Sequence, residues 1–210
     1  MQQKKAKSDQ YIVKSKAYLA GILHLLGKSE EADNWFRQAD KFEGKISGYQ
    51  LYSWYRVFYA DFFIFFKRID EAFELTKQNL EISQRHNWPD VISRCQRLLG
   101  AIERIKENYE GAGLLLQNAL EIARKIGMPD LKIEAMLESG RLHLDMERHE
   151  DAIRDAKEVL KICARTGFML YEPEAEVVLS KGYMALNDLE QAKTLAHSAY
   201  EKAIGMKYRW

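Results

Sequence analysis

Glycine is densest at Gly111-Ala112-Gly113, inside "ENYEGAGLLLQNALEIARKIGMPD" (residues 107–130), just ahead of an apolar run. Glycines that open a helix can cradle a phosphate on backbone N–H groups at the helix N-terminus. Such loops follow a strand, and no strand pattern precedes Gly111. In "HLDMERHED" (143–151), His143 and Glu147 are four residues apart, the spacing that places two metal ligands on one helix face. Two ligands do not make a site, and none of the five histidines belongs to an HExxH motif. Cys95 and Cys163 are far apart without a CxxC pair, which predicts inert core thiols in a reducing compartment. Acidic pairs such as Glu30–Glu31 and Asp70–Glu71 could do acid–base work, but they recur at a fixed spacing and read as helix starts. No catalytic residue, metal site or cofactor is predicted, and the chain is not expected to be an enzyme.

The elements that position these residues follow from composition. Of 210 residues, 47% are hydrophobic and 30% charged, which is globular rather than disordered. With only three prolines and an abundance of Ala, Leu, Glu, Lys and Arg, the expected class is all-α. A formal net charge of +1 directs the chain to neither nucleic acid nor an anionic membrane. The stretch "YQLYSWYRVFYADFFIFF" (49–66) carries Arg56 and Asp61, so it is read as a buried helix, not a membrane span. No apolar segment follows the basic start "MQQKKAKSDQ", so no signal peptide is read and the expected location is cytoplasmic.

Five segments align: "SEEADNWF", "IDEAFELT", "YEGAGLLL", "HEDAIRDA" and "LEQAKTLA". Their alanines, Ala32, Ala72, Ala112, Ala152 and Ala192, fall 40 residues apart each time. Two residues earlier stands an acid in every copy: Glu30, Asp70, Glu110, Glu150, Glu190. Twelve residues earlier stands a small residue: Ala20, Ala60, Gly100, Gly140, Ser180. Seven residues later come Ala39, Asn79, Ala119, Val159 and Ala199. These columns describe paired helices. A small residue on the first helix admits the alanine of the second, and the acid meets the positive end of the second helix. Prolines in "HNWPD" (86–90) and "IGMPD" (126–130) punctuate the joints. Trp88, Met128, Phe168 and Tyr208 form an apolar column there, expected to plug the seams between units.

These columns resemble the tetratricopeptide repeat, in a 40-residue form longer than the common one of about 34. The long form is similar to arrays in bacterial signal-transduction ATPases and in Leu-Gly-Asn-repeat adaptors. A HEAT-type array has a period of about 40–47, but the small/Ala/Ala columns favour the tetratricopeptide reading. The resemblance implies a right-handed α-solenoid of five helix–turn–helix repeats, about 9–48, 49–88, 89–128, 129–168 and 169–210, after a polar segment 1–8. It also implies a protein- or peptide-binding scaffold, a sensor or adaptor segment of a larger signalling protein. A self-associating spacer, or a receptor for a small ligand or peptide pheromone, is the alternative. End repeats need polar caps. The chain stops at "GMKYRW", where a sixth first helix would start. A fragment of a longer protein, or ends that pair with a second copy, is therefore expected.

In such arrays the first helices line a groove. The family's groove positions fall on Tyr18, Trp54, Phe58, Asp61, Arg94, Arg97, Arg104, Glu134, Glu138, Arg141 and Lys181. This surface runs from aromatic through basic to acidic, suited to an extended peptide or a helix. The positions that grip a C-terminal carboxylate in chaperone-binding members hold Ala17, Gly21, Phe58, Arg94 and Leu98, and only Arg94 fits. The arginines of the third copy stand opposite Glu134 and Glu138 of the fourth. Ion pairing between repeats is thus the simpler use for them than nucleic-acid binding.

Overall fold

A computed structural model describes the backbone of residues 2–47 and 54–207, and the side chains of residue 9 and residues 11–44 and 55–207. Among the described residues all regular structure is helical: α1 Gln2–Leu25, α2 Ser29–Ser47, α3 Trp54–Phe65, α4 Ile69–His86, α5 Pro89–Ile105, α6 Tyr109–Ile126, α7 Pro129–Asp145, α8 His149–Thr166, α9 Glu172–Ala185 and α10 Leu189–Gly205. A 3-10 turn at Met169–Tyr171 precedes α9. The residues fall into two compact units, one running to Asn87 and the other Trp88–Lys207. In the first, α1 pairs with α2, α3 with α4, and α1 also meets α3. In the second, α5–α6, α7–α8 and α9–α10 are hairpins, joined by α6–α7, α8–α9, α5–α7 and α7–α9 contacts.

Each hairpin is set by the small-residue columns. All five column alanines, Ala32 to Ala192, are buried. A Cβ placed on Gly100 would approach Leu116 Cγ to 2.8 Å and the Ala112 carbonyl oxygen to 3.4 Å. In the fifth copy the Ser180 hydroxyl donates instead to the Ala192 carbonyl, at 2.7 Å. The acids of the repeat lie in the first turns of α2, α4, α6, α8 and α10, where the dipole favours them. Prolines open α5 and α7.

Each hairpin turn uses one left-handed residue: Gly27, Lys67, Glu107, Glu147 and Asn187, all near φ +60° or somewhat above. Around Glu107 the amide of Asn108 bonds the Glu103 carbonyl at 2.9 Å, and that of Glu107 bonds the Arg104 carbonyl at 3.0 Å. This is the paired bonding that ends helices at a left-handed residue. A second such set, Asn87, Gly127, Gly167 and Lys207, closes the second helices or follows them.

Three expectations change. The polar segment 1–8 does not precede α1; from Gln2 on it is helix, since Gln, Lys and Ala propagate helices well. Glu147 has φ 58° and lies past the end of α7, so it shares no helix face with His143. His143 Nδ1 instead sits 2.9 Å from Asp155. In the seam column, Trp88 and Met128 are half-buried, whereas Phe168 stays exposed and packs edge-on to Tyr171; Tyr208 lies outside the described residues.

Of the 49–66 stretch, Trp54–Phe65 forms α3, and residues 49–53 lie outside the described residues. Tyr55, Val57, Tyr59, Phe62 and Phe63 are all buried, and so is Arg56, whose Nη1 donates to Gln78 at 3.3 Å. Burial raises the Asp40 carboxyl above its usual range, and the Arg56 charge pulls it part of the way back. No described helix is long and apolar enough to cross a membrane.

Gly127 has φ +70°, and a Cβ there would meet nothing within 4 Å. Gly127→Ala should therefore cost about 1–2 kcal/mol through backbone strain alone. Gly44 lies inside α2, also with open space around its Cβ, so Gly44→Ala should stabilise by about 0.5–1 kcal/mol. Denaturant unfolding of both variants checks this opposition of sign.

Candidate functional site: the face of the first helices

In the second unit, the predicted groove residues of α5 and α7 bind one another, while Lys181 of α9 is exposed. Arg94 is 5% exposed; its Nη2 meets Asp130 at 2.7 Å and its Nη1 bonds Glu134. Arg97 Nε lies 3.7 Å from the other Glu134 oxygen, an ion pair without a hydrogen bond. The Tyr171 hydroxyl donates to Glu134 at 3.1 Å. Glu134 of the fourth copy is thus held by the third and the fifth.

A second chain of charges runs alongside. Arg104 donates to Glu138 at 2.7 Å and to Asp145 at 2.5 Å. Glu138, 3% exposed, accepts on its other oxygen from Arg141 at 2.8 Å, and Arg141 donates onward to Glu174 at 2.6 Å. The order Arg104–Glu138–Arg141–Glu174 crosses three repeats. Burial alone would raise the Glu138 carboxyl, but the guanidiniums of Arg141 and Arg104 outweigh it and hold it below its ordinary 4.5. Burial likewise opposes the charge on Arg104, and Glu138 and Asp145 more than restore it. The pairs to Glu138 are charge-assisted hydrogen bonds on a buried carboxylate, and losing the arginines would strand it.

The first unit presents a different face. Tyr18, on α1, lies edge-on to Tyr55 at 5.6 Å between centroids and tilted to Phe58 at 6.1 Å. His24 is ringed by Phe62, Phe65 and Phe66 at 5.2, 5.0 and 6.1 Å. Burial lowers the His24 pKa, offset in part by the Asp61 carboxylate. Tyr18, Phe65 and Phe66 remain 47, 43 and 40% exposed. Trp54 begins α3, and its side chain lies outside the described residues. His24 and Phe65 also fall on the family's groove positions, whereas Phe66 does not, although the run "FFIFF" signalled an aromatic excess.

The glycine cluster holds no phosphate cradle. Asn108 caps α6 by accepting from the Gly111 amide at 3.2 Å. A Cβ on Gly111 would come within 2.5 Å of the Asn108 amide nitrogen, so glycine here makes room for the cap. Gly111, Gly113, Leu142 and His143 line an open concavity of about 630 Å³. Cys95 and Cys163 are buried, and burial pushes the Cys163 thiol up, away from the reactive thiolate.

Helix hairpins with small/Ala/Ala joints and stacked first helices define a tetratricopeptide-type solenoid. Residues 91–165, most of the third and fourth copies, match the tetratricopeptide repeat family. No curated protein matches the chain. Among solved structures it is similar to BtubC (BKLC) from P. vanneervenii, at 15% identity over 99% of this chain and 93% of that one, with a TM-score of 0.61. It is similar to a signal transduction ATPase with numerous domains carrying a tetratricopeptide repeat sensor, from Pyrococcus horikoshii, at 24% identity and TM-score 0.62. That match covers 91% of this chain and 29% of the ATPase. It is also similar to aspartyl phosphate phosphatase F from Bacillus subtilis, at 13% identity over 98% of this chain and 54% of that one, with a TM-score of 0.67. At these identities the likeness is one of fold. Tetratricopeptide repeats generally mediate contacts between proteins.

The depressed Glu138 pKa sets a pH dependence. A carboxyl lowered on folding contributes stability that is present above its unfolded value, near 4.5, and lost as pH falls through the folded value. Glu138→Gln should lower the denaturation midpoint at pH 7. The gap to the wild type should close as pH falls from about 5 towards 3. A gap that stays constant over that range would contradict the paired-carboxylate account.

Proposed function

We propose that this chain is a non-catalytic protein- or peptide-binding scaffold, a sensor or adaptor segment of a larger signalling protein. Its recognition surface is the aromatic strip of α1 and α3. The observation that carries this reading is the exposure of Tyr18, Phe65 and Phe66 on a first-helix face, beside Phe58, His24 and Asp61. Exposed aromatics in one patch are the usual anchors of protein recognition. Asp61 gives the strip a negative partner for a lysine or arginine. The occupant that fits is a segment with aromatic or branched aliphatic anchors next to a basic residue.

The ion pairs of the second unit support a narrower site than the eleven predicted positions. Arg94, Arg97, Arg104, Glu134 and Glu138 hold repeats together, so their charge is already answered within the chain. Tyr18, Phe58, Asp61 and, in the second unit, Lys181 are the positions assigned to a partner, whereas Arg141 is held by Glu138 and Glu174. The tetratricopeptide sensor of the Pyrococcus horikoshii ATPase agrees with a sensor role. Two buried thiols agree with a reducing, cytoplasmic setting.

Selection of a random peptide library displayed on phage against the chain tests the site. Enriched peptides should combine an apolar anchor with Lys or Arg. Phe65→Ser and Asp61→Lys should each weaken them at least about tenfold, the worth of a modest hot spot. Equal binding to wild type and both variants would place recognition elsewhere.

A further inference from the structure

The 40-residue register allows every surface of the end repeats to be compared with its equivalent inside the array. On α1, Ser15 and Leu19 are exposed and Ile22 is 55% exposed. Their equivalents in the fifth copy, Ala175, Leu179 and Gly182, are all buried. There Leu179 packs with Ala152, Ile153 and Ala156 of α8, and Ile153 fills the space left by Gly182. The face that α9 turns towards the preceding repeat is therefore bare on α1.

The opposite face of the fifth copy is bare as well. Val177 is 42% exposed where Leu137 is 3%, and Ala196 is exposed where Ala156 is buried. Tyr200 is 60% exposed, while its equivalent Leu160 packs against the α8–α9 joint. The two bare faces are thus the two halves of one interface, seen assembled between the fourth and fifth copies.

Their polar groups match too. At the joint between the fourth and fifth copies the Tyr171 hydroxyl donates to Glu134. Tyr11 stands in the register of Tyr171, and Glu174 in that of Glu134. No other pair of successive copies offers both residues, because the remaining occupants of the first register are Leu51, Val91 and Leu131. Arg94 pairs with Glu134, the same register one copy later. Across the two ends that contact becomes Glu174 with Lys14, again of opposite charge. Where Ile153 fits against Gly182, the ends oppose Lys193 and Ile22, and the flexible lysine stem gives way to the larger side chain.

We propose that a second copy of this chain docks head to tail, its α1 seated on α9 and α10 as α9 is seated on α7 and α8. Tyr11 of one copy bonds Glu174 of the next, and Lys14 of the one pairs with the same carboxylate. The interface is heterologous, so an open assembly of any length carries one free α1 face and one free α10 face.

Sedimentation velocity of the 210-residue chain over a concentration series tests the proposal. The mean mass should rise with concentration. Leu19→Glu/Ile22→Glu disables the α1 face, and Ala196→Glu/Tyr200→Glu disables the α10 face. These positions are exposed, so both variants should keep the wild-type helical content by circular dichroism. Each alone should be monomeric, and an equimolar mixture should form a dimer and stop there. Tyr11→Phe should weaken association roughly tenfold, the worth of one hydrogen bond to a charged group. A mass independent of concentration would overturn the proposal. So would self-association of either single-face variant, which would signal a symmetric contact instead. Neither outcome touches the aromatic strip, whose peptide binding is read separately.

Discussion

A charge buried on a first helix must find an opposite charge, and for Arg94 and Glu138 that charge lies on a neighbouring repeat. In the second unit this constraint fixes which surfaces are structural. Glu138 sits between Arg104 and Arg141, and Glu134 between Arg94 and Tyr171. Taking these groups out of water is costly, and the cost is met only if each finds its partner in the right register. A slip of the stacking would strand several charges together. The ladder thus specifies how α5, α7 and α9 align, where the apolar contacts beneath them would tolerate other arrangements.

The same constraint decides what is left for a partner. Side chains that would give a conventional groove its charge are consumed by the repeats themselves. What stays open in the first unit is aromatic, around His24, Phe65 and Phe66. Apolar recognition there needs little reorganisation, since the rings are already held by one another at 5–6 Å. The bare ends obey the register that the ladder enforces internally, with Glu174 and Tyr11 repeating the Glu134–Tyr171 contact.

Much of this was legible in the letters. A 40-residue period with an alanine, a small residue and an acid in fixed columns placed all five hairpins, because those residues are demanded by close approach and the helix dipole. Pairing of Arg94, Arg97 and Arg104 with the next copy was legible as well, because Glu134 and Glu138 stand on the next first helix. Other features left no trace. The left-handed turn residue is Gly27, Lys67, Glu107, Glu147 and Asn187 in turn, and with no common chemistry the column is invisible until backbone angles are known. Glu147 therefore looked helical. Burial of Glu138 was hidden too, since a glutamate at a groove position reads as solvated until both flanking arginines are placed. The exposed ring of Phe66 lay in an aromatic run whose inward and outward faces the sequence does not distinguish.

A double-mutant cycle on Arg104 and Glu138 tests the central claim most directly, using Arg104→Met, Glu138→Leu and the pair in denaturant unfolding. If the ladder sets the register, Glu138→Leu alone should cost about 3–5 kcal/mol, with much of that recovered in the double variant. The coupling between the two should then exceed about 1.5 kcal/mol. Additive effects, agreeing within about 0.5 kcal/mol, would mean the pair is incidental and that apolar packing alone aligns the repeats.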